Sequence, residues 1–557
     1  MKVLGINQVP GMFAWNHDSA AALVVDGKLV ATAEEERFNR VRHASGYPRR
    51  AVEYCLKTGG LTLKDVDIIA VGYNPWAFLK RGRINLWPQN LLRDVANILI
   101  LKLYLHALLK DTGSRARVVY VEHHLAHAAS AYRCSGFSRA NILTIDGSGE
   151  TESAVFFVGE GREVRRVWDV PLGGMFTRKK WQSIGLIYSR VTNLLKLGTN
   201  GEGKTMGLAS YGEPKYDFSS ILSLENHDSY TINRRAIDVL YGKLARKRNS
   251  EPLSQEHKDL AASLQKALED VAVALARESY GHTGIKNFAL AGGVALNCNM
   301  NSRILAEDFC DALFVQPAAS DSGIALGAAL EAAHRAGDKT NFKMETAYWG
   351  PEYSDKEIEQ ILKETKMPYE RVSSIEEKAA DLIVMGNIVG WFQGRMELGP
   401  RALGNRSILA NPGIAGMNDK VNIDVKHREV WRPFAPSITE EDASKYFQGM
   451  EKSSESPFML ETFYVKERYR STFPAITHVD GSSRIQTVRQ EQNPRYYKLL
   501  RELEKRTGHP IVLNTSFNDA GEPIVCSPHD AIRCFYGTGF DALAIGSFLV
   551  RKPSVKE

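Results

Sequence analysis

His123 and His127, in VEHHLAHAASAY, are the first residues of this chain whose spacing suggests chemistry. At 3.6 residues per helical turn they share one face, so both imidazoles can reach one ion, while His124 points elsewhere. The pair lacks the glutamate that follows the first histidine of a zinc-peptidase helix, so no hydrolytic base stands in its usual place. Asp146, at the end of the apolar run ILTID, and Asp321, in QPAASDSGIALGAA, add two carboxylates. Two imidazoles with two carboxylates make a mixed N/O donor set that suits iron(II), manganese or zinc better than calcium. The competing reading is a pair of satisfied histidines on a helix face. His17, in the loop NHDSA, has the intrinsic pKa of a general base near neutral pH. It reads equally as a loop histidine bonded to backbone.

Three glycine-rich segments in the same half of the chain suit a nucleotide. DGSGE (146 to 150) sets Gly147 and Gly149 among carboxylates at a strand end, where backbone N–H groups approach phosphate and the carboxylates approach a cation. NGEGKTMGLASYG (200 to 212) carries Glu202 and Lys204. FALAGGVALN (288 to 297) reads as a strand, then Gly292 and Gly293, then a helix, a geometry that aims helix N–H groups at an anion.

Past residue 345 the chemistry becomes cationic. Between Arg395 and Arg432 stand seven basic residues (Arg395, Arg401, Arg406, Lys420, Lys426, Arg428 and Arg432), opposed by Glu397, Asp419, Asp424 and Glu429. They alternate with Gly, Pro and Ser rather than recurring at helical spacing, which suggests loops converging on a compact polyanion such as a triphosphate. Aromatics for base stacking are sparse there, which favours a small phosphate over nucleic acid.

The elements that must position these groups are also legible. VLGIN (3 to 7) followed by SAAALVVDGKLVATA (19 to 33) is a strand, a polar loop and a hairpin turning on Asp26-Gly27. ILTID (142 to 146) followed by SAVFFVGEGREVRRV (153 to 167) repeats the pattern, with Asp146 in the place of Asn7. Duplicated β-meanders clasping a nucleotide describe the actin/Hsp70/sugar-kinase architecture. The whole chain has 557 residues, a net charge of +6, 43% hydrophobic and 24% charged residues, which excludes disorder and fits several globular domains. The surplus is too thin for a dedicated nucleic-acid binder. Six scattered cysteines without a CxxC pair predict neither a zinc ribbon nor a disulfide framework, and a reducing cytoplasm is the expected location. The most apolar stretch, Leu91 to Leu109, is interrupted by Arg93, Asp94, Lys102 and His106, so it reads as an amphipathic helix and no membrane span is expected.

Taken together, NHDSAAALVVDGKLVATAEEERFNR, HHLAHAASAY, TIDGSGE, GEGKTMGLASYG, LAGGVALN, GRMELGPRALGNRSILANP, VKHREVWRPFAPS, DGSSRIQTV and NTSFN with GEPIV resemble the O-carbamoyltransferase family of nodulation and antibiotic-tailoring enzymes. The resemblance implies an α/β protein in two parts: residues 1–344, a duplicated actin-like (ASKHA) domain whose second half starts near 141, and residues 345–557, a YrdC-like α/β domain. It implies two steps. ATP, with Mg2+, and carbamoyl phosphate give carbamoyladenylate and pyrophosphate in the C-terminal part; the carbamoyl group then passes to an acceptor hydroxyl at the N-terminal metal, releasing AMP. By resemblance the metal, iron(II) first and manganese or zinc next, falls on His123, His127, Asp146 and Asp321, and the acceptor's base is His17. Adenylate formation falls on Lys426, Arg432, Arg484, Ser516 and Asn518, with Arg395 and Arg401 as further phosphate ligands. Gly147, Gly149, Glu202, Lys204, Gly292, Gly293 and Asn297 would receive the adenylate in the N-terminal part.

The expected partners are ATP, carbamoyl phosphate and a small hydroxyl acceptor of a natural product or sugar, with no nucleic acid, and with a homodimer left open. The rival readings are a tRNA threonylcarbamoyl-modifying enzyme, against which the small net charge speaks, and a nucleotide-binding regulator without catalysis, which predicts broken ligand sets. The acceptor pocket is expected among the loops Pro10 to Trp15, Trp76 to Trp87 and Pro171 to Trp181.

Overall fold

The computed structural model describes residues 1–8, 17–77, 88–172, 182–225, 229–453 and 455–552. Most of the three loops expected to line the acceptor pocket lies outside the described residues. The chain divides into two compact units: residues 1–39 with 43–344, and residues from 345 onward with the short segment 40–42.

In the first unit, β1 (Lys2–Ile6), β2 (Ala20–Val25), β3 (Lys28–Glu34), β4 (Ile68–Val71) and β5 (Arg117–Tyr120) form a sheet in the order β3-β2-β1-β4-β5. A second sheet contains β6 (Arg139–Ile145), β7 (Glu152–Glu160), β8 (Glu163–Pro171), β9 (Asn287–Ala291) and β10 (Ala312–Val315), in the order β8-β7-β6-β9-β10. The two sheets have the same topology, with the opening meander antiparallel and the last two strands added in parallel. The repeat seen in the sequence is therefore a repeat of architecture, the duplicated actin-like fold. At the first hairpin turn Asp26 and Gly27 both have positive φ, 49° and 78°, as a tight turn between twisted strands requires.

Two helices join the halves. α1 (His123–Ser135) follows β5 but packs on β6, β7 and β9, whereas α2 (Ile324–Arg335) follows β10 but packs on β1, β2 and β4. Each half thus sends its last helix to cover the other's sheet. The helices touch each other through small residues, and a Cβ at Gly327 would stand 1.8 Å from the Ala126 carbonyl oxygen. A Cβ at Gly5 would likewise stand 2.0 Å from the Ala325 carbonyl oxygen, so α2 lies against backbone on two sides. Buried Arg133 on α1 pairs with Glu331 on α2 at 2.6 Å. Pro88–Thr112 is a helix that buries Leu101 and Leu105 and exposes Leu99, Ile100 and Leu103. Among the described residues no helix is long and apolar enough to cross a membrane, and all six cysteines are free and buried.

The second unit is an α/β fold on an eight-stranded mixed sheet. Its strands are β11 (Glu370–Arg371), β12 (Val389–Phe392), β13 (Arg406–Ala410), β14 (Ala435–Thr439), β15 (Gln486–Val488), β16 (Ile511–Ser516), β17 (Ala542–Ile545) and β18 (Phe548–Arg551). Their order is β11-β18-β17-β12-β13-β16-β14-β15. Period-two alternation splits the core: Val389 and Trp391 join the helices Ile375–Val384 and Pro494–Thr507 on one face, while Phe392 and Ile545 join Phe535 and Phe540 on the other.

One buried acid in this unit couples its stability to pH. Burial pushes Glu461 up to about 7, against a hydrogen bond with Ser456 that works the other way. The folded chain keeps a proton that the unfolded chain loses near its ordinary value of 4.5, so stability declines as pH rises from there toward 7. The full cost is about 3 kcal/mol at 1.36 kcal/mol per pKa unit. Urea unfolding at pH 8 should therefore show Glu461→Gln more stable than the native chain, with a much smaller difference at pH 5. An equal difference at both values would refute the assignment.

Candidate metal centre and anion pocket

In the first unit, the helix α1 begins at His123, so His123 and His127 stand one turn apart at its N-terminal end, and Asp146 emerges from the end of β6 to meet them. Asp146 Oδ2 lies 3.3 Å from His123 Nε2 and 3.0 Å from His127 Nε2. Asp321 Oδ1, from the short turn Asp321–Gly323 that leads into α2, lies 3.8 Å from both nitrogens. One ligand atom from each of the four residues falls within 4.8 Å of every other. Donors held at ~2.0–2.2 Å from one ion are separated by just such distances, so the set fits a single divalent cation. Burial works against charging His123, yet Asp146 and Asp321 raise it to about 9; Asp146 is held far below the usual carboxylate range by both imidazoles, overcoming its own burial. This strong mutual attraction is what a cation would replace. His124 turns away, to Thr144 Oγ1 at 2.8 Å and the Glu152 carbonyl at 3.2 Å, and burial keeps it neutral.

The carboxylate of Glu150 accepts from the His123 backbone N–H at 2.9 Å and from the Asn74 N–H at 2.8 Å, capping the start of α1. An acid there complements the positive end of the helix and holds the first metal donor in place. Asn7, the topological counterpart of Asp146, also has a positional role. Its amide donates to the Asp18 and Asp321 carbonyls at 2.7 and 2.9 Å, and its oxygen accepts from the Ala20 N–H at 2.7 Å. It thereby ties the loop of His17 to the turn of Asp321. The position of Glu150 in DGSGE and the Asn7–Asp146 correspondence were visible in the sequence, but their hydrogen bonds were not.

The glycine loops gather partly around Asp146. A Cβ on Gly149 would stand 2.6 Å from His124 Cδ2, one on Gly293 would stand 3.2 Å from Asp146 Oδ1, and Gly292 has φ 92° with Ile145 directly behind it. Gly147 donates its N–H to Asp146 Oδ1 at 2.6 Å. Glu202 accepts from Ser189 Oγ at 2.6 Å, on the helix Ile184–Leu194, and Lys204 follows it on the helix Glu202–Ala209. Asn297 caps the helix Cys298–Ala306 through Met300 N–H and exchanges hydrogen bonds with Gln265. His17 Nδ1 lies 3.1 Å from Asp18 Oδ2. That contact, together with Asp321 and Asp146, outweighs burial and raises His17 to about 9.

In the second unit, Lys426 is buried and its ammonium donates to the Ser516 carbonyl (2.8 Å) and Oγ (3.3 Å) and to the Asn518 carbonyl (2.8 Å) and Oδ1 (2.7 Å). Four acceptors saturate three protons, so Lys426 shapes the loop that follows β16, and burial holds it well below its usual range. Arg428, Arg432 and Arg484 form a cluster of like charge. Burial lowers Arg428 and Arg432, and the neighbouring guanidiniums lower them further, with Glu429 opposing. Arg484 Nε is buried without a hydrogen-bond partner. Arg428, not singled out by its motif, lies over Phe434 at 4.8 Å and donates to Asn422 Oδ1 at 2.7 Å. Arg395 instead donates to the Trp349 and Gly350 carbonyls, at 2.8 and 3.3 Å, and Arg401 sits half-buried in the turn before β13. Arg406 lies in the core over Phe392 at 3.7 Å, so it is not part of the anion cluster.

A family model described as Carbamoyltransferase N-terminus matches residues 8–330, and one described as Carbamoyltransferase C-terminus matches residues 380–552. The nodulation protein NolNO of Sinorhizobium fredii (strain NBRC 101917 / NGR234) is 42% identical over 96% of this chain and 79% of its own. The 3'-hydroxymethylcephem-O-carbamoyltransferase of Amycolatopsis lactamdurans is 27% identical over 96% of this chain and 97% of its own. Among solved structures, full-length HypF in the phosphate- and nucleotide-bound form aligns with 61% of this chain and 47% of its own, at 14% identity and a TM-score of 0.35.

Proposed function

The chain belongs to the carbamoyltransferase family, and on that premise we propose that it is an ATP-dependent O-carbamoyltransferase that works in two steps. In the first, the second unit binds ATP, with its Mg2+, and carbamoyl phosphate; water releases orthophosphate from carbamoyl phosphate, and the freed carbamate oxygen attacks the α-phosphorus, giving carbamoyladenylate as pyrophosphate leaves. The observation that carries this reading is the cluster of Arg428, Arg432 and Arg484, held together against mutual repulsion. Glu429 offsets part of that repulsion, a bound polyanion would offset more, and preorganised positive charge is what stabilises phosphoryl groups during attack. Lys426 fixes Ser516 and Asn518 beside it. Arg395 and Arg401 are further phosphate ligands in this scheme, Arg395 from a position where it also donates to the Trp349 and Gly350 carbonyls.

In the second step, the first unit passes the carbamoyl group to an acceptor hydroxyl. His123, His127, Asp146 and Asp321 would hold a divalent ion, whose Lewis acidity polarises the carbamoyl and phosphoryl oxygens when bound. The mixed donor set admits iron(II), manganese or zinc. The backbone amides around Gly147, Gly149, Gly292 and Gly293 would cradle the adenylate, with Glu202, Lys204 and Asn297 on the flanking helices. His17 takes the acceptor's proton. The acceptor is a hydroxyl of a sugar or other natural product, and relatives that are 3'-hydroxymethylcephem-O-carbamoyltransferases support the natural-product class.

Incubation with ATP, carbamoyl phosphate and iron(II), followed by mass spectrometry, should yield AMP, pyrophosphate and orthophosphate in equal amounts. Formation of ADP in their place would overturn the adenylate mechanism.

A further inference from the structure

The loop that carries His17 is built around a carboxylate placed between two imidazoles. His43 Nδ1 lies 2.6 Å from Asp18 Oδ1, while His17 Nδ1 lies 3.1 Å from the other oxygen, Oδ2. The two rings stand edge to face with centroids 5.9 Å apart. Asp18 and His43 both adopt left-handed backbone, with φ of 62° and 54°. That conformation is costly for residues with a side chain and persists where the surroundings enforce it.

The surroundings do enforce it. Buried Gln8 donates to the His17 carbonyl at 2.5 Å and accepts from the Gly46 N–H at 3.1 Å, which joins the two loops. Buried Ser19 donates its hydroxyl to the Gly46 carbonyl at 2.7 Å and its N–H to the Ala44 carbonyl at 2.8 Å. Glu36 accepts from the His43 N–H at 2.8 Å. So many contacts around one half-exposed histidine indicate that its orientation matters.

We propose that Asp18 and His43 are positioning residues for the base His17, in a His17–Asp18–His43 array that fixes which nitrogen of His17 is free to accept a proton. This rests on the assignment of His17 as acceptor base made above. In neutral His17, Asp18 accepts the Nδ1–H, which leaves Nε2 without a proton and able to take one. His43 donates its own Nδ1–H to the second oxygen and so fixes the plane of the carboxylate. During transfer the acceptor oxygen bonds to the carbamoyl carbon as its proton passes to His17 Nε2. The bond from that carbon to the phosphate oxygen breaks, and AMP leaves with the electron pair. Asp18 then faces an imidazolium, whose charge it offsets without taking the proton. The same three residues can be read as a second cation site. The two nitrogens meet separate carboxylate oxygens at hydrogen-bond distances, which favours the array.

The test uses the full chain with iron(II) and whichever hydroxyl acceptor supports turnover. Asparagine tolerates left-handed backbone, so Asp18→Asn keeps the loop while removing the charge. It should lower kcat for carbamoyl transfer by at least about 10²-fold with acceptor KM changed by less than about twofold. His43→Ala should cost about tenfold, and His43→Asn, whose amide can donate from nearly the position of Nδ1, should recover most of that. Nitrogen-15 NMR of histidine-labelled protein should show neutral His17 protonated on Nδ1 in the native chain and redistributed between both nitrogens in Asp18→Asn. An unchanged tautomer or an unchanged kcat in Asp18→Asn would overturn the proposal, as would a second metal ion per chain that is lost in His43→Ala. A native chain that releases no carbamoylated product yet holds the Nδ1–H tautomer would count against the transfer reading alone, and leave the array standing.

Discussion

His17→Ala should abolish carbamoyl transfer while pyrophosphate is still released from ATP and carbamoyl phosphate. The expected loss is about 10²- to 10⁴-fold, the span of a single positioned acid–base group. His17 is an imidazole of the first unit, with Asp18 at 3.1 Å, and the arginine cluster belongs to the second. Its removal therefore strikes the step that needs a base and spares the step that needs neutralised phosphate. Carbamoyladenylate, or the products of its hydrolysis, should accumulate in place of the acceptor's carbamate, and rapid-quench sampling with mass spectrometry would detect either. If His17→Ala also halted pyrophosphate release, the division of the two steps between the two units would be wrong.

Arg484→Ala should have the complementary effect. Pyrophosphate release should fall by about 10²- to 10³-fold, the cost of removing one preorganised donor to developing charge. Because Arg484 adds to the repulsion on Arg428 and Arg432, its loss should leave thermal stability unchanged or slightly higher. A residue that only supported the fold would lower both together. Arg484→Lys should rescue little, since an ammonium lacks the planar fork that meets two phosphate oxygens at once. Activity undiminished in Arg484→Ala would remove the arginine cluster from the adenylation site.

The fold was legible to an unusual depth because it repeats. Two runs of strand, loop and hairpin with Asn7 and Asp146 in matching places implied two sheets of one topology, and period two and period 3.6 are local signals. His123 and His127 could be paired by helical spacing alone. The functions of cations were far less legible. Seven basic residues between Arg395 and Arg432 read as one patch. Yet Arg406 lies in the core, Arg395 engages two carbonyls and Lys426 is saturated by a loop. Composition shows where charge is placed, but not whether backbone oxygens claim the donors, which depends on partners 45 to 92 residues away. Asp18 and His43 escaped for the same reason, since they lie 25 residues apart and meet only once two loops are tied together.

The crossing of α1 and α2 bears on how such a protein could arise. Either half expressed alone would leave one sheet face bare and present a helix with nothing beneath it. A single half would thus be viable only as a two-fold pair, each copy lending its terminal helix to the other. In the single chain the equivalent positions of the two halves need not match, and one pair of residues differs in kind. Asn7 is a neutral hydrogen-bonding tie, whereas Asp146 is a charged carboxylate between two histidines.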